Sequence, residues 1–281
     1  MSHERAFAAG EGPMILLELA GGVGRIVLNR EDKLNSLNAE LESQLLSALE
    51  ACEADDSVRS IVIAGVGGNF CAGADIEEML AAEHDIFGYM DDVFRFYCRV
   101  EDCPKPVIAQ VDGYCLGGGF ELALACDVIV ASDRAKFGLP EARFGLVPGF
   151  AIQRLAAMVG VAAASNLLFS RQFTPAPAAQ LLGLMEIVVD AQELDEAVRS
   201  VTDNIAQLQP AAVSTSKQAL RLHRRHAANL DHSAWANTAM FARPSTKDAL
   251  RGLDKGSRRR TVQQLPQGSA DGRKNRDVIQ G

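Results

Sequence analysis

The chain has 281 residues, 48% of them apolar and 23% charged, with 24 Gly and 10 Pro. That composition excludes collagen-like, low-complexity and wholly disordered chains. The formal charge of −8 conceals a split, because residues 257–281 hold six bases against two acids and leave −12 on residues 1–256. So acidic a body argues against a general nucleic-acid binder, and an anionic ligand must be held by local groups such as helix N-termini and a few placed bases.

A chain of this length buries roughly three quarters of the surface it would expose unfolded, so its stability needs neither disulfide nor metal. No stretch approaches ~20 uninterrupted apolar residues, which argues against a membrane span. Glu4, Arg5 and Glu11 interrupt the N-terminus, which lacks an apolar signal core; the expected location is the cytoplasm. Cys52, Cys71, Cys98, Cys103, Cys115 and Cys126 show no CxxC spacing and read as small core residues in a reducing compartment, with no metal site implied.

In chain order, MILLEL (14–19) and GRIVLN (24–29) predict two strands joined at Gly21-Gly22. Asn38 offers an N-cap to a helix with Leu41, Leu45, Leu49 and Cys52 on one stripe. SIVIAG (60–65) reads as a buried strand, followed by a short helix over 75–82 and a longer one over 85–101. PVIAQV (106–111), a glycine-rich turn, a helix over 118–126 and the strand DVIVAS (127–132) come next. Beyond residue 150 helices dominate, apart from EIVV (186–189); the clearest spans 193–208, with further ones near 211–227, 231–242 and 245–254. The expected division is a flexible stretch over 1–13, an α/β core with the site over 14–200, a helical module over 201–256 and a basic, disordered tail over 257–281.

Three stretches can carry chemistry. In PVIAQVDGYCLGGGFELALACDVIVAS (106–132), Gly117, Gly118 and Gly119 sit at a strand-to-helix turn. There they admit close approach and aim free helix N–H groups outward, which suits a phosphate or a developing oxyanion. Neither GxGxxG nor GxxxxGK[ST] is present, which favours the oxyanion; the competing reading is close helix–strand packing. Glu121 lies in the first turn of an otherwise apolar helix, where the dipole favours its ionised form and a base could act. In FGLPEARFGLVPG (137–149), Glu141 is the only acid; it could divide acid and base roles with Glu121, or pair with Arg143 on the surface. In GNFCAGADIEEM (68–79), the small-residue loop before Asp75 could add an oxyanion donor or be a plain N-cap turn. Ser214 and Lys217 have SxxK spacing without the other motifs of a serine acyl-enzyme. His223 and His226 sit among arginines and read as a solvated basic face, while Trp235 and Phe241 read as core or subunit-interface residues.

With LNREDKLNSLN (28–38), KPVIAQVDGYCLGGGFELALACDVIVAS (105–132) and AKFGLPEARFGLVPG (135–149), these strings resemble the crotonase, or enoyl-CoA hydratase/isomerase, family in order and spacing. The resemblance covers about residues 14–256. It implies a crotonase-like α/β spiral of ββα units with a helical C-terminal trimerisation module. It also implies homotrimers or dimers of trimers, an acyl-CoA substrate and no cofactor beyond coenzyme A. Backbone N–H groups of Ala74 and Gly118 match the pair that holds the thioester oxygen. Glu121 matches the residue that deprotonates the attacking water and Glu141 the one that protonates the α-carbon. The presence of both favours hydration of a 2,3 double bond over isomerisation. Lys33 matches a basic position near the CoA nucleotide, and Ala72, Asp75 and Ile76 match the loop against which adenine and pantetheine lie. Gly117 and Gly149 complete the expected substrate-binding set. Two departures stand out: Arg30-Glu31-Asp32-Lys33 lacks the usual proline, and PGFAIQR (148–154) is bulkier and one residue shorter than the glycine-threonine run of many hydratases. Phe150 and Ile152 are thus expected to reshape the acyl pocket. Alternatives are isomerisation, dehydration or hydration–cleavage on a branched, aromatic or carrier-protein-bound acyl thioester, or a non-catalytic acyl-CoA or RNA binder.

Overall fold

The computed structural model describes residues 12–170, 172–226 and 238–257. Its strands are β1 (Ile15–Ala20), β2 (Val23–Leu28), β3 (Ser60–Gly65), β4 (Val107–Val111), β5 (Tyr114–Leu116), β6 (Val128–Ser132), β7 (Lys136–Gly138), β8 (Thr174–Pro175) and β9 (Ile187–Val189). Its helices are α1 (Ala39–Ala54), α2 (Ile76–Ala81), α3 (Ile86–Asp102), α4 (Gly118–Ala125), α5 (Gly149–Phe169), α6 (Ala176–Leu181), α7 (Leu194–Ala206), α8 (Pro210–His226) and α9 (Pro244–Ser257).

The larger sheet runs β1-β2-β3-β4-β6-β9. Only its β1–β2 pair is antiparallel, closed by Gly21 and Gly22 at φ 59° and 81°. The central strands are apolar at nearly every position because both faces are covered. Ile61, Ile63, Val107, Ala109, Val111, Ile129 and Ala131 face the main core, into which α1 sends Leu41, Leu45 and Leu49. The intervening Val62, Ile108 and Val130 face the other side, where Leu194 and Val198 of α7 close a second core. Each such Leu or Ile contributes roughly 1.5–3 kcal/mol by leaving water.

A second sheet, β5-β7-β8, appears where the sequence predicts only turns and loops. Its strands are two or three residues long, too short for any periodicity to show. The isolated bridge Cys71–Cys115 pairs the loop after β3 with β5. The expected boundary at residue 200 falls within α7, whose apolar stripe belongs to the second core.

The 21-residue α5 is apolar and long enough to cross a membrane by length and composition alone. It carries Arg154 in its first half, however, and breaks at Gly160 (φ 77°, ψ 160°). Of the six cysteines, none forms a disulfide; five are buried and Cys98 is half-buried. Residues 1–11, Trp235, most of the helix expected over 231–242 and the tail from residue 258 lie outside the described residues, as do the side chains of His223 and His226.

Candidate active site

Four segments converge on one cleft. The first is the loop 71–75. Leu37 N donates to Gly73 O at 2.8 Å, Asp75 N to Leu37 O at 2.6 Å and Ala72 N to Leu34 O at 3.0 Å, so the loop is stitched to residues 34–37. Asp75 caps α2, accepting from Glu77 N and Glu78 N, and its other oxygen takes Arg30 Nη2 at 2.9 Å. The sequence thus places Asp75 correctly as a cap, while its carboxylate is already committed to Arg30.

The second segment is the glycine turn into α4. Gly117 has φ 52° and ψ −127°, which an L side chain resists. A Cβ there would lie 2.9 Å from Glu141 Oε1. One at Gly118 would meet Tyr97 Oη at 2.6 Å and Ala74 N at 3.4 Å; one at Gly119 would strike Cys71 O at 2.4 Å. The close-packing reading holds at Gly119, while Gly117 and Gly118 stand against Glu141, Tyr97 and Ala74. The N–H groups of Ala74 and Gly118 flank the same space, and neither donates to an acceptor among the described residues. Gly118 is the first residue of α4, so its N–H has no intrahelical acceptor.

The third segment, α4 itself, carries Glu121, only 8% exposed. Its Oε1 accepts from Phe150 N and Ala151 N, both at 3.0 Å. Those N–H groups open α5, directly after Gly149, so one helix end holds the carboxylate of another helix. Burial pushes the Glu121 carboxyl up to about 7, against the pull of the two N–H donors.

The fourth is the 3₁₀ turn Glu141–Phe144 after Pro140. Glu141 Oε2 is buried and takes no hydrogen bond among the described residues. Burial first, then the charge of Glu121, push its carboxyl up to about 8. The surface pairing with Arg143 that the sequence left open is not what positions Glu141. The turn is braced by α9, where Thr246 Oγ1 donates to Gly145 O at 3.3 Å and Leu250, with Phe241 just before the helix, packs with Leu146, Met79 and Met90.

Two carboxyls in one cleft with different surroundings are the usual division into a base and an acid. Two undonated N–H groups beside them suit an oxygen that gains negative charge. Lys33 lies on the rim, half exposed, with Nζ 4.0 Å from Glu77, beside the loop that carries Ala72 and Ile76. The SxxK reading of Ser214 fails, because Lys217 is fixed to Asp127 at 2.6 Å and to Lys105 O at 2.9 Å. No metal-ligating cluster occurs among the described residues.

Other residues of the cleft escape the sequence. Arg154 and Glu101 form an ion pair that is 1% and 2% exposed, with Nε–Oε1 at 2.8 Å and Nη2–Oε2 at 2.5 Å. Its guanidinium also stacks 4.3 Å from the Phe150 ring, which packs on Tyr97 at 5.2 Å. The pair joins residues 53 positions apart, which no local pattern announces. Phe150 is buried against Tyr97 and Arg154, whereas Ile152 is 36% exposed.

A family model described as enoyl-CoA hydratase/isomerase matches residues 18–261. A probable enoyl-CoA hydratase of Rhizobium meliloti (strain 1021) is 42% identical over 207 residues, 73% of this chain and 80% of that protein. The 2,3-dehydroadipyl-CoA hydratase of Escherichia coli (strain K12) is 40% identical over 198 residues, 70% of this chain and 77% of that one. The crystal structure of an enoyl-CoA hydratase/isomerase from Xanthobacter autotrophicus Py2 superposes with a TM-score of 0.77 at 30% identity, covering 87% of this chain and 97% of the other. Fold, cleft and sequence agree: the chain has the crotonase fold and belongs to the enoyl-CoA hydratase/isomerase family.

Proposed function

We propose that this enzyme adds water across the 2,3 double bond of an enoyl-CoA thioester. The observation that carries the reading is the unlike pair of buried carboxyls: Glu121 anchored by two N–H donors, Glu141 with an oxygen that takes no hydrogen bond among the described residues. In this reading the thioester oxygen sits between the N–H groups of Ala74 and Gly118. Glu121 takes a proton from water as its oxygen bonds to C3. The π electrons move through C2 and C1 onto the thioester oxygen, giving an enolate whose charge those donors stabilise. Glu141 then gives its proton to C2, and the carbonyl re-forms. One proton has passed from water to Glu121 and one from Glu141 to product, so a proton returns from Glu121 to Glu141 before the next turnover.

Lys33 would meet the CoA phosphates at the rim, and Ala72 and Ile76 the adenine and pantetheine, with Asp75 holding their loop through Arg30. Gly117 and Gly149 keep the backbone close to the acyl group. Assembly as a trimer, or a dimer of trimers, is supported by Val161, Phe169 and Leu181, which leave apolar surface 73%, 79% and 90% exposed.

The test follows the enoyl-thioester absorbance of crotonyl-CoA. Loss of the chromophore with the wild type is expected, with kcat lowered about 10²–10⁴-fold in Glu121→Gln and in Glu141→Gln. An unchanged chromophore would overturn hydration, and wild-type rates in either variant would overturn that residue's role.

A further inference from the structure

The direction of the Ala74 N–H is set by one residue of another segment. Leu37 N donates to Gly73 O at 2.8 Å, and Leu37 O accepts from Asp75 N at 2.6 Å. Leu37 thus grips the chain on both sides of Ala74 in an isolated parallel bridge, which leaves the N–H of Ala74 itself unspent. A donor held at both flanks cannot swing, so it is only as well placed as Leu37 is.

Two polar side chains hold Leu37 in turn. Asn35 is fully buried. Its Oδ1 accepts from Arg30 N at 3.0 Å, and its Nδ2 donates to Val66 O at 3.0 Å and to Asn69 O at 2.9 Å. The turn over 30–37 is thereby fastened to the loop that leads into residues 71–75. Arg30 Nη1 donates to Ser36 O at 2.7 Å and Ser36 Oγ at 3.1 Å, and its Nη2 to Asp75 Oδ2 at 2.9 Å. One guanidinium therefore spans the residue before Leu37 and the residue after Ala74. Its side chain is only 13% exposed and engaged with three acceptors, which makes it a clamp rather than a spare cation for the CoA phosphates.

The backbone between these ties is strained. Leu34 and Asn35 have φ 51° and 58°. Left-handed backbone is costly for a residue with a Cβ, and two such residues in a row persist only where their surroundings enforce it. A turn needed merely to connect β2 to α1 could carry glycine there. Resting on the hydration reading above, in which Ala74 N–H meets the thioester oxygen, we infer that Arg30 and Asn35 are positioning residues for that donor: through Ser36, Leu37 and Asp75 they fix where the N–H points. Neither touches the reacting atoms.

The test binds butanoyl-CoA, a saturated thioester that cannot be hydrated, and reads its carbonyl stretch by isotope-edited infrared difference spectroscopy. Donors fixed on the carbonyl oxygen lower that frequency below its value in buffer. Wild type, Arg30→Met and Asn35→Gly are compared; glycine tolerates the left-handed backbone and deletes only the side chain. Free CoA, which has no carbonyl at that position, serves as the binding control. The stretch should be lowered in the wild type and lose most of that lowering in each variant, with Kd for free CoA unchanged. With crotonyl-CoA, kcat should fall roughly 10²-fold, as a misplacement of about 1 Å does. A merely structural role would lower Tm and leave the bound stretch where the wild type has it, and a grip on CoA would weaken free CoA and butanoyl-CoA alike. Either result in a variant overturns that residue's positioning role, and an unlowered stretch in the wild type overturns both. If the stretch is lowered in the wild type and released in both variants while crotonyl-CoA is not hydrated, the positioning stands and the hydration reading falls.

Discussion

Each glycine of the turn before Glu121 has its own reason. At Gly119 the neighbour is backbone, the carbonyl of Cys71, so a side chain could be admitted only by moving a strand bridge. At Gly117 the neighbour is the tip of Glu141, and the backbone conformation is itself restrictive. Gly117→Ala is therefore expected to fold, with a loss of about 1–3 kcal/mol from strain, while kcat falls at least tenfold because the Glu141 carboxyl is displaced. Thermal unfolding and crotonyl-CoA kinetics on one preparation check both. A variant with native kcat would mean that Glu141 need not stand against the turn.

Elements matter here through their ends and their long-range ties. The start of α5 holds Glu121, and the Arg154–Glu101 pair fixes that start to α3. Arg154→Met takes away the two-point partner of the buried Glu101 carboxylate, which costs about 3–5 kcal/mol and should lower Tm by roughly 10 °C. Arg154→Met with Glu101→Leu should recover much of that Tm, and calorimetry of the two variants checks it. What the sequence discloses follows the same division. Runs such as SIVIAG and the Asn38 cap are legible because burial on both faces and a cap leave local marks. The short strands β5, β7 and β8 leave none. Glu121 and Glu141 are legible as a charge in an apolar helix and as a lone acid in a stiff loop. The donors that hold Glu121, and the Arg154–Glu101 pair behind them, are assembled from distant segments and need the fold to be seen.

At the scale of the whole molecule, the buried acids tie activity and stability to pH with opposite consequences on the two sides of neutrality. In the proposed mechanism Glu121 acts ionised and Glu141 protonated. With their carboxyls raised to about 7 and about 8, kcat/KM should climb as pH rises through the first value and decline through the second. These are properties of the pair, so the measured limbs belong to it jointly. A rate still rising at pH 9 would remove Glu141 as the acid. Stability follows another sign. The native state binds more protons than the unfolded chain between the ordinary carboxylate value and about 8, so unfolding becomes easier as pH rises across that window. Glu42→Gln should flatten the decline of Tm between pH 5 and 8, measured by scanning calorimetry. A slope identical to wild type would place the Glu42 carboxyl in water.

The sealed thiols have a practical corollary. Burial pushes the Cys52 thiol up to about 11 and those of Cys71 and Cys103 up to about 12, so almost no thiolate exists in the native state. An aromatic disulfide reagent should then react with the folded protein chiefly at Cys98, and with the rest only when the structure opens. Cys71 and Cys115 form an isolated bridge beside the glycine turn, whereas Cys52 lies on the buried face of α1. Their separate labelling rates would time the opening of the loop beside the glycine turn against the detachment of α1 from the core. The chain thus carries its own set of molecular clocks, readable without an added probe.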